Sequence, residues 1–280
     1  MDTRPAFLAE RAKVSAIATF CLVALLAACG PSAGERVSPF QPSGRVEFDH
    51  EHRGLHEALK EVVNNGWVDY AKLRADSDGL RAYLRETALV PRTQFDGWDR
   101  AERLAFLLNV YNASMLRHIT AHQPVNKVTD LGDWSQKVWD QLAVDLFGRR
   151  HSLGELEHEM IRGQFKSPQV HFALVCGAKS CPPLRSEPYT AGRLETQFAE
   201  QAREFLNDGE KNRVDLESKT VYLSKIFDWF AEDFGKNDAE ILEFVAPHFG
   251  EETAAAIQRG GFRIQYTEYN WDLNDAARKN

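Results

Sequence analysis

Val170-His171-Phe172-Ala173-Leu174-Val175-Cys176-Gly177-Ala178-Lys179-Ser180-Cys181-Pro182-Pro183-Leu184-Arg185 is the stretch on which the reading of this chain turns. A short hydrophobic run enters a turn made of Gly, Lys and Ser, and a Pro-Pro pair follows. A brief apolar run bounded by turn residues reads as a buried strand, and a loop at the end of a buried element is a common seat of chemistry. Strand alternation puts His171, Ala173 and Val175 on one face, and Phe172, Leu174 and Cys176 on the other. His171 and Cys176 are five residues apart, roughly 16 Å on a straight strand, too far for a dyad. Cys181 lies in the loop, from which the chain can fold back towards His171. Of the two thiols Cys181 is therefore the better nucleophile candidate and Cys176 the more core-like.

Three uses of the pair compete. A Cys176–Cys181 disulfide closes a small loop. A nucleophilic Cys181 is activated by His171 or His158. A metal site combines both cysteines with histidines, but the Cys-x4-Cys spacing is wider than the usual zinc knuckle. No metal and no cofactor is expected: the chain shows no Gly-rich phosphate loop with its Lys and no His-Glu-x-x-His helix.

Working outwards, Ser152-Leu153-Gly154-Glu155 reads as a capping box opening a helix to about Arg162, with Glu157 and His158 on it. Neighbours on a helix point about 100° apart, so these two need not share a partner. A helix from Arg100 to roughly His122, with Asp99 as its cap, carries Leu104, Phe106, Leu107, Tyr111, Met115 and Ile119 on its core face. Asn109 and Asn112 lie three apart on it, hence on one side, and each is expected to hydrogen-bond inside the fold. Val144 to His151 reads as a hairpin, as do Arg213 to Leu216 with Thr220 to Leu223. Val46-Glu47-Phe48 opens a short strand, and Phe262 to Tyr266 closes the chain's strands. Tyr266, Tyr269, Trp271 and Asp272 gather aromatic and polar groups, for packing or for stacking a ligand. Helices and strands mix without strict βαβ alternation. The expected class is α+β, a single mixed domain with a central, mostly antiparallel sheet flanked by helices.

The chain has 280 residues, 43% hydrophobic and 27% charged, with a net charge of −7. That composition is globular, and its mild acidity argues against nucleic acid as a partner. Four cysteines are too few for a disulfide-dense scaffold. Arg11 and Lys13 precede an uncharged apolar run from Val14 to Ala28, too short for a comfortable transmembrane helix and of signal-peptide length. It ends Leu26-Ala27-Ala28-Cys29-Gly30. Small residues before a cysteine resemble a bacterial lipobox, with Cys29 lipidated, and Gly30 fits sorting to the outer membrane. The organisation expected is a leader at 1–28, a Pro/Ser/Gly-rich tether at 29–45 and a folded domain at 46–280. The protein is placed in the cell envelope as an outer-membrane lipoprotein facing the periplasm, with lipidated Cys29 as its membrane contact. In that oxidising compartment Cys176 and Cys181 are the cysteines of the folded part.

Taken together, the motifs resemble the proteins named domain of unknown function 547. The matching elements are Ala105 to Ala113, Ser152-Leu153-Gly154-Glu155-Leu156-Glu157-His158 with Ile161-Arg162, and His171 to Leu174 through Cys176 and Ser180 to Leu184. Leu223 to Phe230 with Asp233-Phe234, and Tyr269 to Asn274, complete them, with Asn270 standing where the family pattern has Asp. The family's signature, as the resemblance has it, keeps a His, two cysteines and a Glu-His pair together, and this sequence has them all as His171, Cys176, Cys181, Glu157 and His158. A histidine opening a hydrophobic strand is also reminiscent of papain-like and transglutaminase-like folds, in a permuted or degenerate version.

Two functions are carried forward. One is a cysteine-dependent hydrolase or acyl transferase, with Cys181 as nucleophile, His171 as base, and His158, Glu157 and Asn112 orienting groups or substrate. The other is a non-catalytic envelope module that binds a peptide, glycan or protein partner and is stapled by a Cys176–Cys181 disulfide.

Overall fold

The computed structural model describes residues 44–132 and 137–279. The leader, Cys29 and the tether up to residue 43 lie outside the described residues. The expected strand at Val46 is not one. The Val46 N–H and C=O are taken by the Gln94 side chain, at 2.9 and 2.8 Å, in place of a partner strand.

Helix α1 (Arg53–Lys60) buries Leu55 and Leu59 and leads into a minimal hairpin, β1 (Val63–Asn64) and β2 (Trp67–Val68). Asn65 and Gly66 turn it, both at positive φ. Helices α2 (Tyr70–Ala75), α3 (Asp78–Ala88) and α4 (Arg92–Asp96) follow. They lead to α5 (Arg100–Ala121), 22 residues long. Asp99 caps α5 in a full capping box, its own N–H answered by the Glu102 carboxylate at 3.0 Å. Residues from Leu104 to Leu116 are buried without interruption. A helix apolar on nearly every side belongs in the middle of a protein, and the other elements wrap around this one.

The hairpin β3 (Leu142–Leu146) and β4 (Arg149–Ser152) pairs antiparallel as expected. Ser152 then caps α6 (Leu153–Glu155), its Oγ accepting from Glu155 N–H at 3.0 Å. The box is only half made, because the Glu155 carboxylate turns to Arg149 and His151 instead. The helix widens into a π-helix over Leu156–Arg162 and closes as α7 (Gly163–Phe165). After α8 (Val170–Ala173) come α9 (Leu194–Leu206), β5 (Arg213–Asp215), β6 (Thr220–Leu223), α10 (Ile226–Trp229), α11 (Ala231–Phe234), α12 (Asp238–Val245), α13 (Glu251–Gln258) and β7 (Arg263–Tyr266).

The α+β reading stands, with one correction of detail. The expected central sheet is absent among the described residues. The strands form two separate hairpins and a three-stranded sheet in the order β5-β6-β7, whose β6–β7 pair is parallel. Strands of two to five residues carry too few ladder bonds to organise a domain, and α5 takes the organising role.

The apolar interior falls into two clusters. One surrounds α5; the other gathers α9, β6, α10 to α13 and Phe172. Val170 and Ala173 belong to the first and Phe172 to the second, so α8 bridges them. Tyr269 and Trp271 pack against both. They lie on a C-terminal strap that returns across the molecule. Its backbone pairs Val128 with Trp271 at 3.0 Å, Leu273 with Asn126 at 2.9 Å and Val68 with Asn274 at 2.9 Å. No helix among the described residues is long and apolar enough to cross a membrane.

Candidate active site

The run Val170–Cys176 is not a strand. Val170–Ala173 forms a helical turn, α8, and the chain becomes extended only at Leu174. An apolar run this short does not distinguish the two states by periodicity. The neighbourhood decides. Ser167 O and Pro168 O accept from the N–H groups of Val170 and His171, each at 3.2 Å, which starts a turn. Asn112 fixes its exit: its Nδ2 donates to Ala173 O and its Oδ1 accepts from Val175 N–H, both at 2.9 Å. Asn109 brackets Tyr189 in the same way, donating at 2.8 Å and accepting at 2.9 Å. Both asparagines thus bond inside the fold, as their position among apolar neighbours suggests. Asn112, expected among the catalytic residues, does not line the cleft described below; it positions the segment that does. The helical α8 also removes the strand-borne histidine on which the likeness to papain-like folds rested.

Beyond Cys176 the chain reverses at Gly177, where φ is +85° and a Cβ would lie 2.5 Å from Ile119 Cδ1. Only glycine fits there. The reversal brings Cys181 back over Cys176, whose N–H donates to Cys181 Sγ at 2.9 Å. The strap holds this loop from outside, with Lys179 N–H on Asp272 O at 2.7 Å and Ser180 N–H on Asn270 O at 3.2 Å. The Cys176–Cys181 disulfide, one of the three competing uses of the pair, is not formed in this structure: both are free, buried thiols. The Cys181 sulfur is engaged as an acceptor for the Cys176 N–H instead. The Tyr269 hydroxyl lies 3.4 Å from Cys176 Sγ.

The two thiols are not equivalent. Burial alone would push Cys176 up, but hydrogen bonds from Cys181, the Tyr269 hydroxyl and the Ala178 backbone outweigh it and hold this thiol below the ordinary value. Burial, together with the bond to Cys176 and its charge, pushes Cys181 well up. Of the two, Cys176 is the thiol whose surroundings favour the charged form.

Across from them stands a histidine–carboxylate pair. His171 Nε2 donates to Asp233 Oδ2 at 2.6 Å, and Arg162 Nε donates to the same oxygen at 2.6 Å. Burial opposes the Asp233 charge, but the bonds from His171 and Arg162 win and hold this carboxyl well below the usual range. Burial keeps His171 below the ordinary histidine value despite Asp233, so its imidazole is neutral. With the Nε2 proton committed to Asp233, Nδ1 is the basic atom of the ring. The ring packs against Phe230 and Phe234 at 4.3 and 5.1 Å between centroids. His158 is one step removed: its Nδ1 accepts from Arg162 Nη1 at 2.7 Å, so it steadies the arginine rather than facing the thiols.

Glu157 is the other buried acid. Burial raises it from 4.5 to about 7, against the opposing bond from Tyr111 and the charge of Arg162. Tyr111 OH donates to its Oε2 at 3.0 Å. The residue sits in the π-helix, a form found disproportionately at functional sites.

Cys176, Cys181, His171 and Glu157 share one cleft at the seam of the two apolar clusters, where Tyr111, Trp139, Trp229, Phe230, Tyr269 and Trp271 form much of the wall. It holds about 50 Å³ of space open to a water-sized molecule, enough for a few waters. Of the residues singled out in the sequence, the structure brings Cys176, Cys181, His171 and Glu157 to this cleft, together with Tyr269 and Trp271 from the C-terminal aromatic group. The sequence reading misses Asp233 and Arg162 as site residues, although both stand inside the motif blocks; neither block shows which histidine they serve. Tyr266 and Asp272 are not part of the cleft wall. An oriented, neutral imidazole and two thiols thus line one cleft. Among the described residues no group of three or more His, Cys, Asp or Glu is arranged to hold a metal ion.

No curated protein and no solved structure matches this chain. Residues 95–206, which run from the end of α4 to the end of α9 and hold Glu157, His171 and both thiols, match the family model described as protein of unknown function, DUF547.

Proposed function

We propose that this chain is a lipid-anchored cell-envelope protein whose folded part carries out thiol-dependent acyl chemistry, hydrolysis or transfer, with Cys176 as nucleophile. One observation carries the reading: an acidified Cys176 and an Asp233-oriented His171 line the same aromatic cleft. His171 Nδ1 takes the Cys176 proton. The sulfur then attacks the acyl carbonyl carbon, and the bond to the leaving group breaks as that group receives the proton from His171. Water or an acceptor nucleophile, deprotonated by the same Nδ1, attacks the thioester and releases Cys176. Glu157, titrating near neutrality, supplies or accepts a proton at the cleft wall. Cys181 is the hydrogen-bonding neighbour that steadies the Cys176 thiolate, not the attacking group. The narrow aromatic walls suit a small or slender apolar acyl group.

Alkylation with iodoacetamide followed by peptide mass spectrometry tests this. Cys176 is expected to label first and below the pH at which an ordinary thiol reacts, and Cys176→Ser abolishes turnover of an activated acyl ester while Cys181→Ser does not. Native protein in which the two sulfurs are bonded, or a Cys176 no faster than a free thiol, sinks the proposal. The anchor rests on the Leu26-Ala27-Ala28-Cys29 run. Expression of Cys29→Ala in a Gram-negative host should abolish the acyl mass increment and release the chain from the membrane fraction.

The aromatic wall favours a second reading, a non-catalytic module that holds an apolar moiety between Trp229, Tyr269 and Trp271. It requires that Cys176→Ser leave ligand binding intact and that no acyl ester be turned over.

A further inference from the structure

A separate cavity, sharing no lining residue with the thiol cleft, lies between α3, α5 and β3. Arg81, Leu84, Arg85 and Ala88 line it from α3, Ser114 and Arg117 from α5, and Ala143, Val144 and Asp145 from β3. Its volume is about 150 Å³, below the ~300–1,000 Å³ of pockets that enclose a whole drug-sized ligand. The lining brings three guanidinium groups against one carboxylate in a chain whose net charge is −7.

The charges in this cavity are unevenly answered. Asp145 is taken by Arg150, whose Nε donates to its Oδ1 at 3.0 Å. Arg81 is paired with Asp78 and also reaches Ser77 Oγ, at 2.5 Å. Arg85, one helical turn further along α3, has no ion-pair partner among the described residues. Arg117 is half-buried and meets a neutral acceptor, the Ala143 carbonyl; burial works against its charge, which Asp145 supports and Arg150 opposes. Beside it the Ser114 hydroxyl is 1% exposed and has no hydrogen-bond partner among the described residues. A buried hydroxyl left unsatisfied is costly, and Arg117 hydrogen-bonds a neutral carbonyl while the carboxylate near it, Asp145, is shared with Arg150.

From these observations we propose that the cavity is a binding site for the phosphate group of a small ligand or a lipid headgroup, held by Arg85 and Arg117 and accepting a hydrogen bond from Ser114. Guanidinium groups match the geometry of phosphate oxygens in paired hydrogen bonds. A tetrahedral oxyanion accepts on several sides at once, which suits donors arriving from two helices. The site is independent of the thiol chemistry.

The experiment titrates the full chain at constant ionic strength, which removes general screening. One arm adds inorganic phosphate and follows amide resonances. A second adds phosphatidylcholine vesicles with and without phosphatidic acid and follows co-sedimentation. Saturable binding in either arm, about tenfold weaker in Arg85→Ala, supports the site, and the responding arm identifies the source of the phosphate. Arg85 is exposed and unpaired, so its loss does not threaten the fold; Arg117→Gln and Ser114→Ala should weaken binding in the same arm. Shifts that never saturate, or an affinity unchanged in Arg85→Ala, overturn the proposal, as does the absence of binding in both arms.

Discussion

Two stretches of this chain, the central helix α5 and the π-helix packed on it, bury polar side chains and treat them in opposite ways. On α5, Asn109 and Asn112 are 2% and 5% exposed; on the π-helix, Glu157 is 6% exposed. Burial therefore does not separate them. What separates them is what each gives up. Every asparagine bond described is an exchange of amide for backbone, a donor and an acceptor each way, with no charge involved. Glu157 keeps a single bond from Tyr111 and is left with an ionisation raised to about 7. Satisfied polar burial makes structure, whereas polar burial that shifts a protonation state marks where chemistry can occur.

The comparison can be broken first on the structural side. Asn112→Ala strips partners from Ala173 O and Val175 N–H together. At about 1–3 kcal/mol for each buried group left unmade, urea denaturation should show a loss of about 2–6 kcal/mol. A loss well under 1 kcal/mol contradicts the bracket. On the chemical side, His171→Ala should slow acylation of Cys176 by about 10²–10⁴-fold, the usual worth of a positioned base. Asp233→Asn should slow it less while moving the pH–rate profile, because it releases the ring tautomer without removing the ring. An unchanged rate in His171→Ala removes the base from the proposal.

Glu157→Gln sharpens the contrast without breaking it. Between pH 4.5 and about 7 the folded chain holds a proton that the unfolded chain has lost. Stability from this group is complete below 4.5 and is lost as pH rises through 7, a fall of roughly 3 kcal/mol. Glutamine still accepts from Tyr111 but does not titrate, so the variant's stability should lose that slope. Parallel stability–pH curves for the two proteins would count against a raised Glu157. The smallest effect belongs to Tyr269→Phe. It removes the hydroxyl 3.4 Å from Cys176 Sγ, and the midpoint of Cys176 alkylation against pH should move up towards that of an ordinary thiol.

The structural side of this comparison is the side a reader of the sequence can see. Helix α5 announces itself through Asp99, Glu102 and its apolar residues, and two asparagines among leucines must bond to something. The hairpins β3–β4 and β5–β6 are equally plain. The chemical side is set by partners far along the chain. His171 depends on an aspartate 62 residues later, and Cys176 on a tyrosine 93 residues later. No local pattern turns Val170–Ala173 into a helix, since Asn112, from 61 residues upstream, takes the Ala173 carbonyl as α8 ends. The widening of the helix at Leu156–Arg162 is likewise invisible to a 3.6-residue period.

The strap at the C-terminus gives the thiol loop a place in time. Lys179, Ser180 and Gly177 all bond to backbone between Asn270 and Asn274, about ninety residues after the loop that it holds. A chain made from its N-terminus folds its early parts first. Helix α5, the hairpins and the histidine can therefore be in place while the cysteines still lack their outer wall and the tyrosine that acidifies one of them. Until the strap docks, an oxidant or thiol-exchange catalyst meets Cys176 and Cys181 on a loop that lacks its outer wall.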